Sequence, residues 1–447
     1  MKKVLIALGI LSLLGVAGVF VAFMLAGNDI PPPDTTDLIP ERIDLPPAQN
    51  AYTHFLAATK SLYYPTKSIM GDGYPEKFSI GDDYLAGKPV DIAVIEEVIT
   101  RNTTTLEAIQ RGLECQRCFT PEISGMGATT PYIRPWLNIG TVMAMKTKWD
   151  RQAGRHTEAT RTCAGMLHFG NSVQHDAEGM VAYLVGISVL HCGLKQARDL
   201  ACDKGTPPEE LTRLSGALAK LGPMDHGLIR AMQVEYRVMA NTIDQVRDGT
   251  LSVGSRMVSP MVKRKHLLRY MFQPNKTIQK VADDHRIVIR NAPLTYADMK
   301  FYESDKEYEM DEGDVMSNLR PNMIGKILYT MTAPSYHKVT AWKCKAECNI
   351  AATRLLVACN AYRKAEGRLP DALAVLVPGY LDAIPVDPYD GKPFRYAPAK
   401  GIVYSVGLDL TDSGGSTKLP EGTKRYIPDK HRWEAEDVVF EINGQVE

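Results

Sequence analysis

A surplus of charge of either sign is missing from this chain: 52 Lys and Arg stand against 52 Asp and Glu, a formal net charge of +0 over 447 residues. Duplex nucleic acid is gripped through a concentrated basic face, so nucleic acid is not expected as a main partner. Catalytic signatures are missing too. No GxSxG, P-loop, HExxH or GxGxxG string occurs, and those spacings are what a strained nucleophile turn, a phosphate cradle or a helical metal pair demands. The acidic stretch Glu303, Asp305, Glu307, Glu309, Asp311, Glu312, Asp314 does not form an EF-hand. Counted from Asp305, Met310 and Met316 occupy the positions where that calcium loop needs Gly and Glu. The stretch reads as a solvated loop. The 10 histidines are scattered, and His54, His168, His175, His191 and His226 read as polar-edge or satisfied core residues on helices. Nothing in these patterns asks for an enzyme, and an enzyme of unrecognised type stays the competing reading.

Cysteine is sparse, with 8 in the chain. Cys115 and Cys118 form a CxxC, which reads as a structural disulfide or two free thiols ahead of a redox pair or half a zinc site. A thioredoxin-like pair opens a helix after a strand, whereas Cys115 follows a helix-like stretch and Cys118 leads into Thr120-Pro121-Glu122. Cys344 and Cys348 lie one helical turn apart as small buried residues. Cys163, Cys192, Cys202 and Cys359 sit among apolar neighbours as core filler.

Long uncharged runs occur once, at the start. Lys2 and Lys3 precede residues 4–26, which carry no charge and as a helix would span about 34 Å, enough for a hydrocarbon core of about 30 Å. Lysines before the run and Asp29, Asp34 and Asp37 after it place the short N-terminus in the cytoplasm by the positive-inside rule. A cleaved signal peptide is the rival reading. Its apolar region is shorter and ends at a small-x-small site, whereas a cut after Ala26 would leave bulky Met24 upstream, and no lipobox cysteine follows. The expectation is a single uncleaved anchor over 1–27, with the rest exported. Residues 28–47, with Pro31, Pro32, Pro33, Pro40, Pro46 and Pro47, are expected as a semi-rigid extended stalk.

Residues 48–300 form an expected α-helical body. A helix is expected to open it over 45–62. Across 90–113, Ile92, Val94, Ile95, Val98, Ile99, Leu106, Ile109 and Leu113 follow a spacing close to 3.6. Further helices are expected over 136–153, 158–174 and 178–201, from Pro207-Pro208-Glu209-Glu210 to Leu221, and over 226–247. The segment 138–169 has the look of a helical hairpin, turning at Gly154-Arg155, without a second copy at a fixed period. Within the 226–247 helix, Glu235 is the candidate buried charge, expected in an interhelical salt bridge. An acidic loop and connector fills 301–337. The fold class is therefore mainly α, with a small C-terminal α+β module over 338–447.

That module opens with a helix whose stripe is Ala341, Cys348, Ala352, Leu355, Cys359 and Tyr362, ending at Gly367-Arg368-Leu369-Pro370. Asp390-Gly391 marks a turn, and 394–396 with 402–406 reads as an antiparallel hairpin. Tyr362 with Gly367-Arg368-Leu369-Pro370, Leu376-Val377-Pro378 with Tyr380-Leu381, Ile384-Pro385-Val386-Asp387-Pro388, Tyr404-Ser405-Val406-Gly407-Leu408-Asp409 and Asp412-Ser413-Gly414-Gly415 together resemble the globular domain of the type II secretion major pseudopilin. The likeness covers about 345–416, with a weaker echo at 436–439. The whole chain also resembles uncharacterised bacterial envelope proteins with a membrane anchor.

In that family the loop after the hairpin binds calcium. The resemblance implies a ligand carbonyl at Val406 and carboxylates at Asp409 and Asp437; Asp412 joins them by proximity. A loop closed by ordinary hydrogen bonds around Gly414 and Gly415 is the alternative. Pseudopilins are cleaved at a glycine before the membrane helix, which runs straight into the globular domain. Here Gly27 follows the apolar run and the module begins some 310 residues later, so pilin-type processing and polymerisation are not expected. The implied role is non-catalytic: a protein of the bacterial inner membrane, its bulk periplasmic, that meets other envelope or secretion proteins. A purely structural envelope component is the third reading.

Overall fold

A computed structural model describes residues 28–65, 80–125, 128–251, 271–301, 321–332, 336–420 and 431–443. The expected anchor and the acidic run 303–314 lie outside the described residues. Helix α1 (Ala51–Ser61) starts later than the expected 45–62, because Pro46 and Pro47 lack the N–H groups a helix interior requires. Asn50 sets the boundary, its side chain accepting the N–H of Tyr52 at 3.1 Å. After the short α2 (Ile80–Leu85), the apolar period over 90–113 divides into α3 (Ile92–Arg101) and α4 (Thr103–Leu113). Asn102 makes the break. Fully buried, it donates to the carbonyls of Tyr63 at 2.6 Å and Val98 at 2.8 Å, and accepts the N–H of Tyr63 at 3.0 Å. A side chain that competes this well for backbone groups ends a helix without changing its hydrophobic period.

The centre of the body is α5 (Ile133–Gln152), α6 (His156–His175) and α7 (Met180–Cys202), which pack on one another. Gly154, at φ 74°, makes the expected turn between α5 and α6. Helices α6 and α7 touch backbone to backbone: a Cβ on Gly186 would stand 2.4 Å from the Gln174 nitrogen and 2.7 Å from the Gly170 oxygen. Helix α7 is long and apolar enough to cross a membrane, but 61% of its apolar window is buried within the protein; Tyr183, Leu190, Leu194 and Leu200 fill the body's core. Helix α8 (Pro208–Ala219) starts on its proline as expected, α9 (Asp225–Arg247) follows, and α10 (Pro274–Asn291) packs along α9 with α11 (Met323–Thr332) beside it.

Helix α12 (Tyr336–Glu366) ends at Gly367, at φ 74°, whose N–H returns to the Arg363 carbonyl at 2.9 Å. It carries two apolar stripes. Cys348, Ala352, Leu355, Cys359 and Tyr362 face a core with Leu376, Phe394, Val403 and Phe440. Val339, Ala346, Ile350 and Val357 belong to the core of α7 and α8. The small sheet is antiparallel in the order β1 (Arg395–Ala397), β2 (Ile402–Ser405), β3 (Val438–Glu441), with Arg395 opposite Tyr404 and Tyr404 opposite Val439. The hairpin is as expected, and the echo at 436–439 runs into a third strand that the sequence reading did not place.

Residues 28–47 do not stand away as a stalk. Leu38 is 1% exposed, packed with Tyr236, Met239 and Ile243 of α9. Arg286 of α10 donates from Nε and Nη2 to the two Asp37 oxygens at 2.8 and 2.7 Å and from Nη2 to the Asp34 carbonyl at 2.8 Å. The prolines stiffen this segment as a strap across the body, because its polar and apolar side chains find partners there.

Gly186→Ala is expected to destabilise the protein by roughly 2 kcal/mol or more, since the new methyl meets backbone atoms that cannot rotate away. Chemical denaturation checks it; an unchanged midpoint would mean that α6 and α7 are farther apart.

Candidate functional site

Two regions gather polar groups. The first is built where α6 turns into α7. The short turn brings Asp176 and Glu178 inward, exposed by 2% and 3%. Gly179, at φ 91°, lets the chain re-enter a helix there. Asp176 accepts from Arg117 Nε at 3.0 and 3.1 Å, from the Cys118 N–H at 2.7 Å, and lies 3.0 Å from His175 Nδ1. Burial pushes its pKa up, but the bonds to His175, Cys118 and Arg117 outweigh burial and leave it below the ordinary aspartate value. Glu178 pairs with Arg237 and, at 3.3 Å, with Arg230 Nη2. Arg230 and Arg237, two turns apart on α9, share one face; Arg237 also reaches Glu122 at 3.2 Å, and Glu122 pairs with Arg42 of the strap. The guanidinium carbons of Arg117 and Arg230 stand 4.6 and 4.9 Å from the Phe119 ring centre, within cation–π reach.

Two clefts adjoin this network, with Leu45 of the strap on the wall of each. One, of about 260 Å³, is lined by Arg42, Asp44, Phe119, Glu178 and Arg230 among others. The other, of about 550 Å³, is lined by His54, Arg111, Glu114, Cys115 and Arg117 among others. They flank the strap. The charges are largely neutralised in pairs, which makes the network a joint linking strap, α4–α5 connection, α6–α7 turn and α9.

The CxxC sits beside this joint as two free thiols. Cys118 is buried while its N–H serves Asp176; the Cys115 thiol, past the end of α4, points toward the carbonyls of Ala48 at 3.6 Å and Arg111 at 3.9 Å. The candidate disulfide Cys115–Cys118 is therefore not formed here, since each side chain is drawn to a different environment. Burial raises both thiol pKa values, with Glu114 adding to the rise at Cys115 and Asp176 at Cys118, the opposite of what an activated thiolate needs. Of the expected helix-borne histidines, His175 and His226 come together as stacked rings, 4.2 Å between centres and 14° from parallel. Glu235 is partly buried rather than fully buried, and its partner is not a cation: Oε1 accepts the N–H of Met180 at 2.7 Å, the start of α7. A carboxylate there meets the positive end of the helix. Burial raises its pKa above the ordinary value, against that bond.

The second region is the C-terminal loop. Asp387, fully buried, is its hub: it accepts from Ser405 Oγ at 2.8 Å, Arg395 Nη1 at 2.9 Å, and the N–H groups of Tyr389 at 3.0 Å and Val406 at 3.1 Å. Burial still raises its pKa, the hydrogen bonds opposing. Asp387 lies inside the quoted Ile-Pro-Val-Asp-Pro string, the available signal for its role, yet only its neighbours in space show what it holds. Asp437, also buried, accepts the N–H groups of Gly415 at 2.8 Å, Ser416 at 3.0 Å and Ser413 at 3.4 Å. Asp412 accepts from the Gly414 N–H at 3.0 Å and the Tyr404 hydroxyl at 3.2 Å, with Arg395 Nε at 3.4 Å; exposed Asp409 accepts the Thr411 N–H at 3.0 Å. The carboxylate oxygens of Asp409, Asp412 and Asp437 thus face N–H, hydroxyl and guanidinium donors, and Asp437 closes on residues 413–416. A calcium ion takes six to eight oxygens and here would have to draw these carboxylates off their donors. Among the described residues no group of three His, Cys, Asp or Glu converges as a metal set.

In comparison with known proteins, no family model, no curated protein and no solved structure matches the chain.

Two measurements follow from these geometries. Glu235→Gln keeps an acceptor for Met180 and removes the partly buried charge, so it is expected to match or exceed the wild type near neutral pH. A native-state carboxyl pKa above 4.5 means that wild-type stability falls relative to the variant as pH rises through that window, and that the gap closes below it; parallel stability curves across pH 4–8 would refute the assignment. For the loop, a hydrogen-bonded clasp predicts that Asp437→Ala loses roughly 2–3 kcal/mol, while Asp409→Ala and added calcium change little. A calcium-dependent rise in Tm abolished by Asp409→Ala would assign the loop to the cation instead.

Proposed function

We propose that this chain is a non-catalytic protein of the bacterial inner membrane, held by its N-terminal apolar segment, whose pseudopilin-like end serves interaction or assembly with other envelope or secretion proteins. The observation that carries the reading is the agreement between motif and contact in the C-terminal module. The string around Asp387 supplies a buried carboxylate that ties the segment before the hairpin to Ser405 and Val406 of the Tyr-Ser-Val-Gly string. The Asp-Ser-Gly-Gly string closes on Asp437. Motifs distant in sequence thus meet in one polar lock over a long helix and a three-stranded antiparallel sheet, which supports a pseudopilin-like module. The module also leaves Val375, Val386, Leu408 and Leu410 exposed. The paired charges of the α6–α7 joint also suit a structural role better than chemistry on a substrate.

Cross-linking of the native protein in its own membranes is expected to recover secretion or pilus-type components through residues 338–443. Self-links alone would sink the assembly role and leave the module a structural cap.

A further inference from the structure

We propose that the body lies directly on the bilayer, with the N-terminal end of α10 as its lipid-facing edge. The inference rests on the anchor reading above and adds to it which surface of the protein meets the membrane. Its basis is how the chain is tied down just after the apolar run. Asp29 accepts the N–H of Asn275 at 2.8 Å and of Lys276 at 3.0 Å, closing the open first turn of α10, and Asn275 Nδ2 donates to the Ile30 carbonyl at 2.8 Å. Free N–H groups and the positive end of the helix make this a favourable seat for a carboxylate.

The tie does not stand alone. Arg286 holds Asp34 and Asp37, the Gln233 side chain donates to the Asp37 carbonyl, Leu38 enters the core under α9, and Arg230 holds the Glu41 carbonyl. From residue 29 onward the strap is therefore part of the body. A free proline-rich linker of residues 28–47 could hold a body up to about 60 Å from the membrane at about 3.1 Å per residue. Only the step from Ala26 to Asp29 remains as spacer, and it reaches at most about 10 Å. The apolar run ends at Ala26, so the start of α10 is confined to the headgroup layer or its edge. The partner this surface fits is the lipid bilayer itself. The β1–β2 turn at Lys400 belongs to the C-terminal module, which is tied through Tyr296 and Ala297 to the chain just past the other, C-terminal end of α10, and serves as the reference.

The test uses the full chain reconstituted into vesicles of phosphatidylcholine with phosphatidylglycerol. A photoreactive benzoylphenylalanine replaces Gln279, on the first turns of α10, or Lys400, and lipid adducts are counted by mass spectrometry. Adducts several-fold more abundant at 279 than at 400 are expected, with the excess lost when Asp29→Ala and Asp37→Ala release the strap. Vesicle-bound protein with equal or no adducts at 279 would overturn the proposal while leaving the anchor intact. Protein that fails to float with vesicles would overturn the anchor reading and the proposal with it.

Discussion

Helix α12 is buried along two sides, and most of the molecule's order follows from that. One stripe, Val339, Ala346, Ile350 and Val357, is part of the body's core; the other, from Cys348 to Tyr362, is the floor of the C-terminal sheet. Each of the larger aliphatic side chains, Val339, Ile350, Val357 and Leu355, contributes about 1.5–3 kcal/mol of apolar transfer once buried, so neither side can be peeled away cheaply. A three-stranded sheet of three- and four-residue strands has little stability of its own. Packed on a helix already fixed by α7 and α8, it needs only the local lock at Asp387 and Asp437 to hold its loops.

The same logic runs through the polar parts. Carboxylates register pairs of chain segments, buried at Asp176 and Glu178 of the α6–α7 turn and at Asp387 and Asp437 of the module, and partly buried at Glu235 by the start of α7 and Asp29 by the start of α10. In most of these, backbone N–H groups are among the donors. A buried carboxylate that loses such partners keeps its desolvation cost, which makes each contact specific to one register. The strap shows the result at larger scale. A proline-rich segment that would be extended in isolation is held flat by arginines of α9 and α10.

The sequence by itself determined the helical class, most helix positions and the C-terminal hairpin. These follow from apolar period, proline, glycine and turn residues, which act over a few neighbours. Asn102 was legible only as a polar residue within a periodic stretch, because its effect depends on Tyr63 being nearby in space. Tertiary structure alone decided that residues 28–47 are a strap, that Glu235 caps a helix, that Cys115 and Cys118 stay apart, and that α12 serves two cores. Each of those outcomes is set by partners tens to hundreds of residues away, such as Arg286 for Asp37 and Val403 for Cys348's face of α12. Local pattern reports whether a residue prefers burial or pairing; only the folded chain supplies the group that meets it.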